Sequence, residues 1–247
     1  MLRLVAALEH HPRSVGIMTA ADDPITVEVW SDIVCPWCSI GKRRLERAVA
    51  ALSDDPTFTP NILVLFRPFQ LDPRAPLGAA EPLADAYARK FGGPDQAAAM
   101  IERATSMAAG EGLEFHLERA LRANTADAHR LLWWALGERG AAIQGALKEL
   151  LMLAYFTEGA NVGDHDVLVD RAARCGLDEG AARSFLASED GVEALAVGLE
   201  RAADIGITAV PTYVIDGQWT VPGAQDSDVF EQAFRRVAVR RSDPVDA

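Results

Sequence analysis

Cysteine, long apolar runs and net positive charge are all scarce in this sequence, and each shortage excludes a class of protein. Only 3 of the 247 residues are cysteines, too few for a scaffold held by disulfides. The longest apolar run, Leu150 to Phe156, is far shorter than the roughly 20 residues of a membrane span. Lys and Arg number 24 against 36 Asp and Glu, and the resulting charge of −12 repels phosphate backbones. We therefore expect neither a membrane nor a nucleic acid as partner.

What the sequence does contain is typical of a folded globular chain. Apolar residues make up 49% and charged residues 24%, which allows a packed core. The length of 247 residues predicts one large domain or a domain with a sizeable insertion. In residues 1–23 the apolar run Leu4 to Leu8 is too short for the core of an export signal. We expect an N-terminal extension there without ordered structure, with Met18 as a candidate initiator, and a cytoplasmic protein.

The patterned sequence begins with a strand, a helix and a second strand. Ile25 to Trp30 begins with an alternation of apolar and polar residues and is rich in β-branched side chains, which predicts a strand. From Pro36 onward apolar residues recur at helical spacing, until Asp54-Asp55-Pro56 ends the helix. Asn61 to Phe66 is a continuous apolar run, as in a buried strand. This βαβ unit predicts two parallel strands joined by a right-handed crossover.

The middle of the chain, from Pro82 to Ser188, has almost only helical spacing, with glycines near the ends of the segments. Many segments carry Asp, Ser or Thr near their start, where these residues cap helices. The predicted helices are Leu83–Phe91, Asp95–Ala109, Thr125–Gly137, Ala141–Phe156, Asp164–Cys175 and Asp178–Ala187.

Strand patterns return near the C-terminus. A helix predicted over Val192–Ile205 precedes a hairpin, Thr212–Ile215 and Trp219–Val221, with its turn at Asp216-Gly217. Val229–Arg240 is the last predicted helix. The fold class is therefore α/β, in which the βαβ and αββα parts share one sheet. We assign residues 24–78 and 190–241 to one discontinuous domain, and residues 79–189 to an all-helical insertion.

The tetrapeptide most informative about chemistry is Cys-Pro-Trp-Cys, at residues 35–38. It lies where the first strand passes into the helix, so both sulfur atoms belong to the first helical turn and can form a disulfide. Pro36 suits the first helical position. Free N–H groups and the helix dipole at this end stabilise a thiolate, which predicts a reactive Cys35. Cys38, one turn further, is predicted to be more buried and to resolve the mixed disulfide.

Two other interpretations of the cysteine pair stay open. A zinc site needs four ligands, and the candidates besides this pair are Cys175, His116, His129 and His165. The chain has no second Cys-x-x-Cys, and these three histidines are far apart in sequence. Alternatively, the pair is a coincidence of two buried cysteines. The agreement in register of strand, Cys-x-x-Cys and helix favours redox chemistry without a metal ion.

A second informative segment is Gly206 to Ile215, in which a proline directly precedes a predicted strand. Pro211 has no N–H to donate to a sheet, so it belongs at a strand start or an edge. Taken alone, Val210-Pro211 is a helix-to-strand connection whose peptide bond is most often trans.

Together these segments resemble the DsbA family of thioredoxin-fold oxidoreductases, and within it the FrnE-like subgroup. The resemblance covers Ile25 to Arg240 and rests on Ser31–Cys38 with Gly41-Lys-Arg, Arg67–Leu71, Asn124–Arg130, Thr157–Gly159 with Asp164, Gly206–Ile215 and Pro222–Gln225. It implies a thioredoxin fold with a large helical insertion, no cofactor, and thiol–disulfide exchange with protein substrates. It also implies a cis Pro211 beside the cysteines, and a substrate groove formed by Val210, Pro211, Pro36 and Trp37.

The sequence departs from the better-known periplasmic members of this family at two points. Trp37 stands where they carry a histidine, which implies a weaker oxidant, because tryptophan cannot stabilise a neighbouring thiolate by charge. The expected absence of an export signal places the protein in a reducing cytosol. There the pair would rest as the dithiol and act as reductant or isomerase, with glutathione or a thioredoxin-type protein as redox partner.

Two other functions stay open on the same fold. Kappa-type glutathione transferases and hydroxychromene carboxylate isomerases share the fold and the helical insertion. They typically carry serine at the nucleophile position, whereas Cys35 and Cys38 are both present here. A chaperone-like binding module would use the groove without redox turnover.

Several further residues have less specific expectations. Glu28 is expected to face solvent or pair with an arginine, with a role as proton acceptor for Cys38 as the alternative. Asp32 is expected to cap the helix or to be exposed, with tuning of the thiol as the alternative. His129 is expected to pack in a core, with a position facing the cysteines as the alternative. Buried positions are expected for the aromatic residues of the insertion and for the third cysteine: Trp133, Trp134, Tyr155, Phe156 and Cys175. The alternative for some of the aromatic residues is that they line a groove over Cys35.

Overall fold

The computed structural model of this protein describes residues 23–77 and 79–242. The strands are β1 (Ile25–Ser31), β2 (Ile62–Pro68), β3 (Glu81–Pro82), β4 (Leu121–Arg122), β5 (Thr212–Ile215) and β6 (Trp219–Pro222). The helices are α1 (Pro36–Ser53), α2 (Leu83–Phe91), α3 (Pro94–Gly110), α4 (Ala126–Leu153), α5 (His165–Arg174), α6 (Glu179–Ala187), α7 (Val192–Asp204) and α8 (Ser227–Ser242). The predicted N-terminal extension, residues 1–23, lies outside the described residues except for Asp23.

The central sheet has the strand order β2-β1-β5-β6 and joins the two ends of the chain. Strand β1 pairs in parallel with β2, and this confirms the predicted βαβ unit. On its other side β1 pairs antiparallel with β5, and β5 pairs with β6 in the predicted hairpin. Val27 illustrates the register, since it lies opposite Val64 of β2 and Ile215 of β5. The prediction that the first and last parts of the chain share one sheet is confirmed.

The two faces of β1 have different neighbours, because successive side chains in a strand point to opposite sides. Val27 and Val29 face a core that is built with helices α1 and α8, for which Leu45 and Phe230 are examples. Trp30 faces the other side, where it packs with Ala202 of α7 and with Val214. Fully burying a large apolar side chain stabilises the folded state by about 1.5–3 kcal/mol, so the packing on both faces stabilises the position of β1.

The insertion is mainly helical, but it also contains a short ladder that the sequence did not predict. Strands β3 and β4 have two residues each, and Glu81 pairs with Arg122 across them. Arg122 also donates to the Glu81 carboxylate at 2.9 Å, which joins the two segments through their side chains. Two-residue strands leave no alternation to detect, so the helical spacing on either side concealed them.

Helix α4 contains the predicted boundary between two helices. Gly140 has a left-handed backbone (φ 80°) within α4, so the interruption lies three residues after the predicted end at Gly137. The helix then passes into a π-helical turn, Ala154–Glu158. Among the described residues, no helix is both long enough and apolar enough to cross a membrane.

Helix α4 is tied to the sheet by the buried amide of Gln144. The Gln144 Oε1 accepts the N–H of Phe66 at 2.9 Å, and its Nε2 donates to the Phe66 carbonyl at 3.1 Å. Phe66 lies in β2, which is an edge strand and presents backbone groups without a strand partner on its outer side. The Gln144 side chain therefore takes the place of a neighbouring strand at this position.

Two expectations about burial in the insertion are wrong. Trp133 is 49% exposed, because it lies at the rim of the insertion, where it stacks on Phe185 with a centroid distance of 6.4 Å. Cys175 is only half-buried, since it caps the C-terminal end of α5 at the surface. Tyr155 and Phe156 are buried as expected, each with about 1% exposure.

Candidate active site

Cys35 begins helix α1 directly after the loop that follows β1. It is the N-cap residue, with extended backbone angles (φ −90°, ψ 113°), and Pro36 stands at the start of the helix. The N–H of Cys38 donates to the Cys35 Sγ at 3.3 Å, as expected for a capping side chain. The predicted transition from strand to helix is therefore present, and a backbone N–H points at the sulfur atom.

Both cysteines are free thiols and both are buried. Each has an exposed fraction of 2%, so the expectation that Cys38 is more buried than Cys35 is wrong. The reason is that the helical insertion packs over the first turn of α1, and both cysteines belong to its apolar cluster. Burial raises the pKa of the Cys38 thiol well above its ordinary value, and the adjacent Cys35 raises it further. Cys38 therefore needs a neighbour that removes its proton before it can act as a nucleophile.

The loop before β5 lies against the cysteine pair. The peptide bond between Val210 and Pro211 is cis. The Cys35 Sγ lies 3.8 Å from the carbonyl oxygen of Val210, to which the thiol donates. The carbonyl of Pro211 accepts the N–H of Gly223 at 2.8 Å, which anchors the loop to the segment after β6. The structure thus brings together Cys35, Val210 and Pro211 from opposite ends of the chain.

The two residues between the cysteines differ in exposure. Pro36 is buried, whereas Trp37 is half-buried. The guanidinium group of Arg103, on helix α3, lies over the Trp37 ring, 5.7 Å from its centroid. This is a cation–π contact, so the insertion places a positive charge directly beside the Cys-Pro-Trp-Cys segment.

Asp32 is fully buried below the start of α1, so the expectation that it caps the helix or is exposed is wrong. Cys35 already occupies the N-cap, and Asp32 turns inward instead. Its Oδ1 and Oδ2 accept the N–H groups of Ile33 and Leu71, each at 2.8 Å. Burial raises the pKa of Asp32, but His129 and the Leu71 N–H outweigh burial and hold it below its ordinary value.

His129 of α4 completes the cluster below the cysteines. Its Nε2 lies 3.2 Å from the Asp32 Oδ1 and 3.0 Å from the carbonyl oxygen of Phe69. Because both oxygens are acceptors, Nε2 carries the hydrogen that they share. Burial lowers the pKa of His129, and Asp32 offsets this only in part, so the ring is neutral. The expected buried histidine is confirmed, and it also supports the loop that leads to Cys35.

Glu28 lies on the other face of β1 from helix α1. The side chain is nearly buried, and its carboxylate accepts hydrogen bonds from Arg67 at 2.7 Å and from Arg201 at 2.8 Å. Burial raises the pKa of Glu28, but Arg201 and Arg67 outweigh burial and lower it. The expected pairing with arginine is confirmed, and the alternative of a proton acceptor for Cys38 does not fit this position.

Lys148 is a residue of the site that sequence reasoning missed. It is completely buried in α4, and burial lowers its pKa to about 8, while Cys38 and Asp32 act in the opposite direction. A signal was available, because Lys148 falls on the same helical stripe as Gln144, Leu147 and Leu151, all of which are buried. A lysine on an apolar stripe is seldom fully buried without a partner.

A cleft of about 590 Å³ opens beside Cys35, between the loop after β2 and helix α2. Val34, Tyr87 and Tyr155 lie among its lining residues, and burial together with the nearby Cys35 raises the pKa of Tyr87 to about 12. The cleft is also lined by basic side chains, which are Arg74, Arg89, Lys90 and Arg122. In residues 23–77 and 79–242 no group of three or more His, Cys, Asp or Glu side chains is arranged to hold a metal ion.

Comparisons with known proteins place this geometry in a family. A family model described as a DSBA-like thioredoxin domain matches residues 26–235. The crystal structure of the probable DsbA oxidoreductase SCO1869 from Streptomyces coelicolor has 33% sequence identity and a TM-score of 0.76, and the match covers 86% of this chain and 89% of that one. The uncharacterized protein YwbO from Bacillus subtilis (strain 168) is 28% identical over 211 residues, 85% of this chain and 96% of that protein.

A more distant structure resembles the chain in fold alone. It is a 2-hydroxychromene-2-carboxylate isomerase with 15% identity and a TM-score of 0.62, covering 90% of this chain and all of that one. The family model, by contrast, spans the whole insertion and all of the central sheet except Ile25. The resemblance to the DsbA family that the sequence indicated is confirmed. This chain belongs to the family of DSBA-like thioredoxin domains.

Proposed function

We propose that this protein is a thiol–disulfide oxidoreductase of the FrnE-like subgroup, which exchanges disulfides with protein substrates. The observation that supports this most strongly is the environment of one sulfur atom. The Cys35 Sγ accepts the Cys38 N–H at 3.3 Å at the N-terminus of α1, and it lies 3.8 Å from the Val210 carbonyl. We also propose that residues 24–78 and 190–241 form the thioredoxin-like domain and residues 79–189 its insertion.

The exchange proceeds in two attacks. The Cys35 thiolate attacks one sulfur of a substrate disulfide, which forms a mixed disulfide and releases the other substrate sulfur as a thiolate. Cys38 then loses its proton, and its sulfur attacks the Cys35 Sγ. The Cys35–Cys38 disulfide forms, the bond to the substrate breaks, and the second substrate sulfur leaves as a thiolate. Two electrons pass from the cysteine pair to the substrate, and oxidation of a substrate dithiol is the reverse.

The substrate lies along Val210 and Pro211. The loop before β5 places the Val210 carbonyl beside Cys35, and an extended peptide would pair with the backbone there as if it were another strand. Pro36 and Trp37 form the adjacent wall of this groove, and the half-buried Trp37 ring offers an apolar contact to an unfolded segment. Thiol- or disulfide-containing proteins are therefore the substrate class.

We propose that the protein works as a reductant or isomerase in the cytoplasm. Trp37, in the position next to Cys38, carries no charge that would stabilise the reduced state, so the pair is a weaker oxidant than members with histidine there. Glutathione or a thioredoxin-type protein would return the pair to the dithiol. Arg122 and Arg89 in the cleft beside Cys35 are paired with Asp72 and Glu81, so Arg74 and Lys90 are the lining residues that support a small anionic thiol such as glutathione in this role.

Single cysteine substitutions test the exchange mechanism. Cys35→Ser is expected to abolish insulin reduction, because no nucleophile remains at the helix N-terminus. Cys38→Ser is expected to trap mixed disulfides with substrate, visible on non-reducing gels. Cys175→Ser is the matched control, since this half-buried cysteine lies outside the site, and it should retain full activity. Full activity in the Cys35→Ser protein would contradict the mechanism.

A glutathione-dependent isomerase or transferase is the second candidate. Two observations favour it, the fold shared with the hydroxychromene carboxylate isomerase and the four basic residues that line the cleft. In that case glutathione would bind saturably and activity would not depend on Cys38. Isothermal titration with glutathione, followed by insulin reduction by the Cys38→Ala protein, separates the two functions. Saturable binding together with unchanged turnover in that variant would support the transferase type.

A further inference from the structure

Lys148 of helix α4 lies in the protein interior behind the cysteine pair. Lys148 has an exposed fraction of 0%, and its Nζ has no hydrogen-bond partner among residues 23–77 and 79–242. The aromatic ring of Phe66 is its nearest cation–π contact, with 5.8 Å from the Nζ to the ring centroid. An ammonium group without hydrogen bonds in an apolar interior is unstable, so the position favours the neutral amine.

The charged groups that face Lys148 come from three parts of the fold. Helix α1 contributes Cys38 and Lys42, and the loop before it contributes Asp32 and Cys35. Helix α4 itself contributes His129. Of these, the charge of Cys38 has the largest effect on Lys148. Lys42 lowers the Lys148 pKa, but its own ammonium group is bound by Glu46 and Glu149.

Other candidates for the base that deprotonates Cys38 are already occupied. Glu28 lies on the far side of β1 and is held by two arginines. Asp32 accepts three hydrogen bonds, and its lowered pKa makes it a weak base. His129 donates its Nε2 hydrogen to Asp32 and Phe69, and burial lowers the pKa of the ring, so its Nδ1 is a weak base. Lys148 is the remaining group, and burial brings its pKa to about 8, close to the range in which thiols exchange.

We propose that Lys148 accepts the proton of Cys38 when Cys38 attacks the mixed disulfide, and returns it when the Cys35–Cys38 disulfide is reduced. The proposal rests on the exchange mechanism above. In the forward step the Cys38 S–H bond breaks and its proton binds the neutral Lys148 amine. The Cys38–Cys35 S–S bond forms, and the substrate thiolate leaves with the electron pair of its former S–S bond. The ammonium group then loses the proton to the leaving thiolate or to solvent.

Ellman's reagent separates the two attacks, because each releases one thionitrobenzoate. The first release reports the attack by Cys35, and the second reports the attack by Cys38 on the mixed disulfide. All proteins in this assay, including the one called wild type below, carry Cys175→Ala so that the third cysteine does not react. In Lys148→Met, which keeps the length of the side chain without its charge, the second release is expected to slow about 10²-fold near neutral pH, as for a lost general base. The first release should stay nearly unchanged.

Two further variants define what the lysine contributes. Lys42→Met makes the same change at another buried lysine of the region, one whose ammonium is already bound by two glutamates. It should leave the first release unchanged and slow the second far less than Lys148→Met does, because Lys42 acts only through the Lys148 pKa. Lys148→Arg keeps the positive charge but cannot give up its proton, so its second release should be as slow as in Lys148→Met. A fast second release in Lys148→Arg would overturn the proposal, because charge alone would then suffice. Equal slowing of both releases in Lys148→Met would also overturn it, since lost packing acts on both.

The wild-type protein provides a test that does not depend on a variant that folds. The rate of the second release should rise with pH and level off above a midpoint of about 8, where Lys148 becomes neutral. A profile without this midpoint overturns the assignment of Lys148. If the wild type releases no second thionitrobenzoate at all, the exchange mechanism itself is wrong. If both releases occur but the second is equally fast with and without Lys148, the exchange mechanism is supported and Lys148 is not the base.

Discussion

Gly41 determines how closely helix α1 approaches the loop that carries Pro211, and Gly41→Ala tests this packing. A Cβ atom at residue 41 would lie 3.2 Å from the Pro211 Cγ and 3.3 Å from the Ala224 Cα, and it would overlap the hydroxyl of Tyr213. The Tyr213 ring cannot withdraw, because it is fully buried and packs edge-on against Phe230 with a centroid distance of 4.7 Å. The helix must therefore move away from the β5 segment.

The expected size of the effect is the difference between two opposing terms. Replacing glycine by alanine inside a helix stabilises it by about 1 kcal/mol. Forcing an extra methyl group into a packed interior costs about 1–3 kcal/mol. We expect Gly41→Ala to lower the free energy of unfolding by about 1 kcal/mol, a decrease in Tm of about 2–4 °C for a chain of this size. Insulin reduction should also decrease, because Pro211 moves relative to Cys35.

The matched control is Gly145→Ala in helix α4, where a Cβ would be 3.8 Å from the nearest atom, in the Phe66 ring. Only the helical term acts there, so this variant should be stabilised by about 1 kcal/mol. Adding Tyr213→Phe to Gly41→Ala removes the overlapping hydroxyl, which has no hydrogen-bond partner among the described residues, and should recover part of the loss. Urea and thermal unfolding measure all three. The argument is refuted if Gly41→Ala raises Tm as Gly145→Ala does.

Three further predictions concern the polar residues behind the site. The free energy of unfolding should fall as pH is lowered below 6.5, by at most about 1.4 kcal/mol per pH unit, because burial lowers the pKa of His129 and the unfolded chain binds the proton first. Urea titrations should show a smaller slope for His129→Gln, and parallel slopes would contradict this. Gln144→Leu should cost about 2 kcal/mol, because the Phe66 backbone and the Leu132 carbonyl lose their partner, whereas Gln96→Leu at an exposed position of α3 should be near neutral in the same unfolding assay. Glu28→Gln should cost about 1–2 kcal/mol and leave both thionitrobenzoate releases unchanged, and a slowed second release would make Glu28 the base instead of Lys148.

The sheet and the position of the cysteines were predictable, because both depend on local patterns. Alternation in β1, the apolar run of β2 and the Asp216-Gly217 turn each identify their element within a few residues. Pro36 after Cys35 similarly indicates a helix start. The boundary inside α4 was predicted within three residues because glycines are frequent at helix ends, although the chain supplies several of them.

The surroundings of the cysteines were not predictable, because they depend on which helix covers which loop. Aspartate is a residue type that often caps helices, and only the packing of α4 against Asp32 makes it a buried acceptor. Trp133 and Lys148 show the same limit in opposite directions. The aromatic residue is half exposed and the charged residue is fully buried, because their positions on α4 decide their environment and their residue types do not.

The long separation in sequence between the two sides of the site bears on how the chain is made. Cys35 contacts the Val210 carbonyl across 175 residues, and β1 gains its partner β5 only after the whole insertion has been synthesised. A ribosome adds residues at about 5–20 per second, so both thiols exist for roughly ten seconds or more before the proposed substrate groove can form. During that interval they can react with any disulfide or oxidant nearby. In the function that we propose, selectivity for a substrate is thus acquired last, when the C-terminal hairpin docks, and a truncated chain would retain the thiols without it.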